Sequence, residues 1–263
     1  MDYGLVLAGL LIGTLVGFTG MGAGSLMTPI LITVFGVPPT TAVGTDLVYS
    51  AVTKTLGAAR HRALENVNGR LALIMASGSV PSAVLGVYTL NRLRENHAAT
   101  IENDLKQVIG YTLVLVGIAV GIRTLVTIRR MRGREWIPPD ETLTRRHKVI
   151  AVVVGIVFGF ILGLTSVGSG VFFGMALITL FPLRARRIVG TDLFHAALIT
   201  VAAGAAQILW GTPDFAYVGS LLIGSLPGIL LGSQLSVKIP ERALRGSMAG
   251  VLALAGLKLL GAF

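Results

Sequence analysis

The chain has 263 residues, of which 53% are hydrophobic and only 13% are charged, and its mean hydropathy is +0.80. A soluble domain of this length needs many more charged residues on its surface, so the composition predicts an integral membrane protein in contact with the lipid bilayer. The formal net charge is +10, but Lys and Arg stand between apolar runs, as they do in cytoplasmic loops, so no nucleic-acid partner is expected.

Ten apolar runs follow one another along the chain and predict an all-α fold. Six are long enough, at about 20 residues each, to cross a bilayer. The other four form two interrupted pairs, in which a run stops at a Gly-rich turn (TGMGAGS or TSVGSG) and a short run follows. A run of about 12 residues rises about 18 Å as a helix, which is too short to cross easily. In chain order the runs are 5–18, 26–37, 42–59, 70–90, 107–127, 148–164, 171–183, 188–209, 216–237 and 246–263.

The pentapeptide VGTDL occurs twice, at Val43–Leu47 and at Val189–Leu193, an offset of 146 positions. The same offset aligns both Gly-rich turns and a Gly-Ser-x-Pro stretch without a gap. Matched Gly, Thr, Asp and Pro at one constant offset are much less expected by chance than matched Leu or Ala, so the chain is interpreted as a tandem duplication. The further matched stretches are Thr19–Gly24 with Thr165–Gly170 and Gly78–Pro81 with Gly224–Pro227.

The charges of equivalent loops predict that the two copies are inverted in the membrane. The loop after VGTDL carries three arginines in the first copy but only Asp214 in the second. The loop before VGTDL is uncharged in the first copy and carries three arginines in the second. Because Lys and Arg mark the cytoplasmic side, equivalent loops are expected on opposite sides.

This topology divides the chain into three parts: a first membrane repeat of five segments at 1–128, a basic cytoplasmic linker at 129–147, and a second membrane repeat at 148–263. Both termini are then expected on the external side. The first run lacks a basic region before it and a convincing cleavage site, so it is interpreted as a retained helix. Gly-rich helix faces would permit a homodimer.

The two Gly-rich turns are the candidate solute site. Inverted repeats with matched broken helices are typical of secondary transporters that bind their solute near the midplane. A helix that begins after such a break presents free N–H groups, which favour a small anion; the alternative is that the turns are tight hairpins or packing contacts. The candidate residues are Thr19, Gly20, Met21, Gly22, Gly24, Ser25, Thr165, Ser166, Gly168, Ser169 and Gly170.

Asp46 and Asp192 each lie roughly five residues into a predicted helix. Two interpretations are open for this pair: a helix cap favoured by the dipole, or a membrane acid that couples transport to protons. Lys54 lies toward the cytoplasmic end, where its stem could extend to the surface, with a role in attracting anions as the alternative. His195 is expected to hydrogen-bond between helices, although it could titrate near neutral pH.

Ser79 and Ser225, each two residues before a proline, are expected to compensate matched helix kinks. The sequence contains no cysteine, no His/Asp/Glu cluster with metal-ligand spacing and no nucleophile–base pair. No metal site, cofactor or enzymatic activity is therefore predicted.

The stretches GFTGMGAGSLMTPIL, PPTTAVGTDLVYS, TSVGSGVFFG and RIVGTDLFHA resemble the TauE/SafE family of sulfite exporters over nearly the whole chain. The resemblance implies a multi-pass carrier in the cytoplasmic (inner) membrane that exports sulfite or organosulfonates such as sulfoacetate, with proton coupling as an option. An anion channel, or a carrier for another small organic anion, is the alternative. In the second turn Ser166 and Val167 replace Gly20 and Met21, so the two half-sites are not expected to be equivalent.

Overall fold

A computed structural model describes residues 3–19, 24–63, 65–96, 100–132, 143–181, 183, 185–235 and 241–262. The side chains at 16–19, 24, 25, 60, 123–132, 185, 186, 232–235 and 241–248 lie outside this description. Over the described residues every regular element is a helix, as the sequence predicts. The helices are α1 Tyr3–Thr19, α2 Gly24–Thr33, α3 Pro39–Ala63, α4 Gly69–Asn96, α5 Ile101–Arg132, α6 Arg145–Thr165, α7 Phe172–Leu180, α8 Ala185–Trp210, α9 Phe215–Leu235 and α10 Glu241–Leu259.

The apolar runs of the sequence overlap these helices, so the predicted all-α class is confirmed for the described residues. In the described part of the chain, four helical stretches are long and apolar enough to cross a membrane, and three shorter helical stretches are also apolar. The four are Gly69–Asn96, Ile101–Ile122, Arg145–Thr165 and Arg187–Trp210. Large apolar side chains on many helices, including Leu7, Leu115 and Val153, are exposed, which is the surface that lipid covers.

The most extensive helix pairings join the first half of the chain (α1–α5) to the second half (α6–α10). They are α1 with α9, α4 with α6, α3 with α8, and α5 with α10. When each helix is replaced by its equivalent in the other half, 146 residues away, the same four pairings are obtained. The two halves are therefore interdigitated, and α3 and α8, which carry the two VGTDL stretches, cross in the interior.

Small residues allow these helices to approach closely. A Cβ on Gly155 of α6 would lie 2.5 Å from the Met75 carbonyl oxygen of α4, and a Cβ on Gly9 of α1 would collide with the Leu221 backbone of α9. Gly9 and Gly155 stand at matched positions, as do Met75 and Leu221. Van der Waals contact between small residues drives helix association in lipid, so both halves use the same packing device.

Two matched hydrogen bonds fix the ends of the crossing helices. The Thr45 hydroxyl oxygen of α3 accepts a bond from the Asp214 backbone N–H at 3.0 Å. The matched Thr191 of α8 accepts one from the Asn68 backbone N–H at 2.8 Å. Asp214 and Asn68 also cap the helices that follow them, α9 and α4, by accepting backbone N–H bonds, so one arrangement occurs twice.

Candidate functional site

The turn between α6 and α7 breaks the helix inside the packed interior. Ser166 ends α6 in the left-handed conformation (φ 60°), and its N–H donates to the Leu162 carbonyl at 2.7 Å. Gly168 follows with a φ of 94°, a conformation that residues with a Cβ rarely adopt. The chain then enters α7, which is only nine residues long. The predicted interruption therefore lies at 166–171.

Thr165 compensates part of the break with its hydroxyl. Its Oγ1 donates to the Ile161 carbonyl at 2.7 Å and accepts from the Val167 N–H at 3.2 Å. Both Thr165 and Val167 are fully buried, so water cannot satisfy these groups. A hydroxyl beside a Gly-rich break can thus satisfy backbone groups that the break leaves without helical partners.

Asp46 accepts hydrogen bonds from three hydroxyl groups on three segments. Thr28 of α2 donates to Oδ2 at 2.7 Å, Ser166 of the turn donates to Oδ2 at 2.8 Å, and Ser50, one helical turn along α3, donates to Oδ1 at 3.2 Å. The carboxylate is fully buried. Three donors around one carboxylate compensate its removal from water, and the Ser166 bond joins the two halves of the protein. We name Thr28, Asp46, Ser50 and Ser166 the hydroxyl cradle.

Lys54 is buried beside the same turn. Its side chain is 3% exposed, and its Nζ donates to the Ser169 hydroxyl at 2.5 Å. The expectation that its stem extends to the membrane surface is therefore wrong, because the side chain points inward to a residue 115 positions away. Lys54 also lies within electrostatic range of Asp46 and Asp192.

Asp192 and His195 lie on α8, the helix that packs against α3. Asp192 is 5% exposed and His195 is fully buried. A hydrogen bond of 2.7 Å joins His195 Nε2 to the Ser79 hydroxyl of α4, as expected for an interhelical histidine, and the ring contacts Phe173 of α7 at a centroid distance of 4.4 Å. The Ser79 hydroxyl is thus engaged by His195, contrary to the expectation that it compensates the Pro81 kink.

The matched pair on the other half is Tyr49 with Ser225. The Tyr49 hydroxyl lies near the Ser225 hydroxyl, but neither oxygen makes a hydrogen bond within the described residues. Tyr49 stands where the second half has His195, and Ser225 stands where the first half has Ser79. The two halves therefore place different chemistry at equivalent contacts.

Neither aspartate occupies the first turn of its helix. Asp46 is the eighth residue of α3 and Asp192 the eighth residue of α8, and neither helix has an acidic residue in its first turn. The printed partners of Asp46 are side-chain hydroxyls and not first-turn N–H groups. This geometry does not match the helix-cap interpretation, whereas proton coupling stays a prediction.

The structure brings the second predicted turn together with Asp46 but does not describe the first turn to the same extent. Gly20, Met21 and Gly22 lie outside the described residues. Thr19 ends α1, and Gly24 and Ser25 begin α2, while their side chains are outside the description. Of the predicted site residues of the second turn, Ser166 contacts Asp46, Ser169 contacts Lys54, and Gly168 shapes the turn that carries both.

Sequence reasoning missed Thr28 and Ser50. Ser50 could have been predicted from the sequence, because a hydroxyl four residues after an acid on a helix lies on the same face. Thr28 could not have been predicted from the sequence, since its contact with Asp46 depends on how α2 folds back against α3.

A cavity of about 360 Å³ lies between α4, α5 and the end of α6. Its lining is mostly apolar, with Asp104 and Thr100 as polar members, and it contains neither Lys54 nor a residue of the hydroxyl cradle. Lipid or a detergent tail suits this lining better than a small anion does. The buried polar groups around Asp46 and Lys54 are therefore the stronger candidate site.

The helices, their lipid-facing apolar surface and the buried charged interior define a multi-pass membrane protein. Residues 5–259 match the family model described as "Sulfite exporter TauE/SafE". The chain belongs to this family, and it is a membrane transporter and not an enzyme.

Curated relatives cover almost the whole chain. The chain is 41% identical to "Probable membrane transporter protein YjnA" of Bacillus subtilis (strain 168), over 99% of this chain and 100% of that protein. It is 26% identical to "Probable membrane transporter protein YdhB" of the same strain, over 97% and 99%. It is 21% identical to "Probable membrane transporter protein MJ0441" of Methanocaldococcus jannaschii, over 97% and 94%. No solved structure matches.

Proposed function

We propose that this protein is a secondary carrier that exports small sulfur-containing anions, sulfite or organosulfonates such as sulfoacetate, across the cytoplasmic membrane. The observation that carries the proposal is a buried ammonium, Lys54, beside a broken helix whose turn supplies hydroxyl groups. Burying such a group of donors inside an apolar protein costs free energy unless a ligand or a structural partner accepts their hydrogen bonds. The family match to sulfite exporters supports the choice of solute.

The helix pairings support two inverted repeats of five segments. Each of the four most extensive pairings has an equivalent in which the two halves exchange roles, and the Thr45–Asp214 and Thr191–Asn68 bonds obey the same exchange. An odd number of segments per repeat inverts the second copy, in agreement with the loop charges. We place the repeats at 1–128 and 148–263, the linker 129–147 in the cytoplasm, and both termini outside.

In this carrier the solute binds between the two Gly-rich turns. Thr165–Gly170 supplies one half-site and Thr19–Ser25 the other, with Asp46 and Asp192 near them as candidate proton-coupling acids. Rocking of one repeat against the other exposes the solute first to the cytoplasm and then to the outside. The solute-contacting residues Lys54, Ser166 and Ser169 are each at most 3% exposed, a closed arrangement that supports a carrier over an open channel.

Anion flux into proteoliposomes of the purified protein tests this proposal. Sulfite, sulfoacetate and sulfate are offered with and without a pH gradient, and protein-free liposomes give the background. We expect saturable flux of sulfite or sulfoacetate. An exposed-carboxylate variant, Asp104→Asn, serves as the matched control and should transport like the wild type.

Each alternative gives a distinct result. Large, non-saturating flux that ignores the pH gradient would identify a channel. A gradient effect that disappears in Asp192→Asn and persists in Asp104→Asn would assign proton coupling to Asp192. Absence of flux for all sulfur anions, in a protein that is folded and reconstituted, would refute the solute.

A further inference from the structure

Lys54 is a buried cation with an incomplete set of partners. Among the described residues, its Nζ makes one hydrogen bond, to the neutral hydroxyl of Ser169. An ammonium has three N–H donors, so two remain after this contact. Within the ranges that the structure describes, no carboxylate oxygen lies within 4.0 Å of Nζ. The site therefore lacks a close negative oxygen.

The groups around Lys54 provide further donors. The Ser169 oxygen accepts the lysine bond, which leaves the hydroxyl proton of Ser169 for another acceptor. Helix α7 begins three residues later, at Phe172, and the N-terminus of a helix carries a partial positive charge. An oxygen atom bound at this point would therefore contact an ammonium and a hydroxyl beside the positive end of a helix dipole.

The charges that face Lys54 limit how much negative charge the site can take. Asp46 on α3 and Asp192 on α8 lie within electrostatic range of the lysine. Two carboxylates offset much of the attraction that one ammonium exerts on an anion. The attraction grows in proportion to the charge of the anion, whereas the cost of removing an ion from water grows with its square.

We propose that Lys54 Nζ and Ser169 Oγ form the oxyanion contact of the carrier, and that this contact accepts a singly charged oxyanion, a sulfonate or hydrogensulfite, in preference to the sulfate dianion. This inference rests on the proposed function and deepens it. It names the residue that binds the charge and the charge state that is bound. Asp46 does not contact the lysine directly in the described part of the chain, since none of its oxygens lies within 4.0 Å of Nζ; they accept bonds from three hydroxyl groups instead.

Calorimetric titration of the purified full-length protein in detergent tests the contact. The titrants are methanesulfonate, sulfite and sulfate at neutral pH. We expect Lys54→Gln to raise the Kd for methanesulfonate and sulfite by about 10- to 100-fold, the effect of one hydrogen bond to a charged group. Ser169→Ala should raise it by a smaller factor. Lys106→Gln, an exposed lysine on α5, should leave the Kd unchanged.

The outcomes separate this inference from the proposed function. A folded Lys54→Gln protein with the Kd of the wild type overturns the contact, while the proposed solute stands. Sulfate that binds as tightly as methanesulfonate overturns the charge preference. Wild-type protein that binds neither sulfite nor methanesulfonate refutes the function and this inference together. If Lys54→Gln does not fold, Asp192→Asn, which has one fewer buried negative charge, becomes the reference protein. The Kd of Asp192→Asn/Lys54→Gln divided by the Kd of Asp192→Asn then measures the same effect of the lysine.

Discussion

Asp46 and Asp192 have the same local sequence and the same position in their helices, yet the residue types at matched positions around them differ. Around Asp46, hydroxyl groups arrive from Thr28, Ser50 and Ser166. At the offset of 146 positions, the residues that correspond to these three donors around Asp192 have no hydroxyl: they are Gly174, Ala196 and Gly20. The lysine and its serine partner have no counterpart at the matched positions, since Thr200 and Ala23 stand at the positions matching Lys54 and Ser169.

The framework around the two acids, in contrast, is the same in both halves. Thr45 of α3 and Thr191 of α8 accept equivalent bonds from the residues that cap α9 and α4, and Gly9 and Gly155 make equivalent close contacts. The comparison indicates that the matched halves share the contacts that pack helices and differ in the contacts that hold charge. A difference confined to the charged interior is expected where the two half-sites have different tasks.

The hydroxyl cradle should make Asp46 important for stability. Asp46→Asn places an amide against three hydroxyl donors and removes a negative charge near Lys54, so we expect a loss of about 3–5 kcal/mol, as for a broken buried charge interaction. The exposed-carboxylate variant Asp104→Asn is the control and should change the unfolding free energy by less than about 0.5 kcal/mol. Unfolding in mixed micelles of dodecyl maltoside and SDS, followed by helical circular dichroism, measures both. Equal losses would show that the hydroxyl cradle does not stabilise the protein.

Removing a single donor gives the next largest effect. Ser166→Ala deletes the 2.8 Å bond that joins the α6–α7 turn to Asp46, and a hydrogen bond to a charged group contributes about 1.5–3 kcal/mol. Ser77→Ala is the control, because Ser77 is exposed and bonds only to its own helix; it should change the same unfolding free energy by less than about 0.5 kcal/mol. Similar values for both variants would argue against a structural role of the Ser166 contact.

Much of the framework could be predicted from the sequence, because its signals are periodic or repeated. The apolar runs located the helices, and the constant offset paired Thr45 with Thr191 before either contact was known. The broken helix at Thr165–Gly170 was visible because glycine, serine and threonine interrupt an apolar run only where backbone groups find other partners.

The charged interior was harder to predict, since its contacts join distant segments. Lys54 was assigned to the surface from its position in the helix, but its partner Ser169 lies in the turn between α6 and α7, 115 positions away. Thr28 and Ser166 reach Asp46 only through the way that α2, α3 and the turn pack together. Offset and spacing determine which residues are equivalent, and not which side chains meet.

The matched framework bonds should give equal and smaller effects. Thr45→Val and Thr191→Val each remove one acceptor from a backbone N–H while keeping the shape of the side chain, which should cost about 0.5–1.5 kcal/mol in each case. Thermal or SDS unfolding of the two variants side by side is the measurement. A large difference between the two losses of unfolding free energy would mean that the framework contacts, like the charged interior, are not equivalent in the two halves.

The smallest effect concerns the missing hydroxyl beside Asp192. Ala196 matches Ser50 and lies one helical turn after Asp192, so Ala196→Ser places a donor where the first half has one. We expect a gain of about 0.5–1 kcal/mol in unfolding free energy, within the range of one hydrogen bond. Ala203→Ser, at another buried alanine of α8, adds the same atom without an acid one turn before it and should be neutral or destabilising. If both serines have the same effect, the second acid does not gain from a donor at this position, and the difference between the halves depends on Thr28 and Ser166 instead.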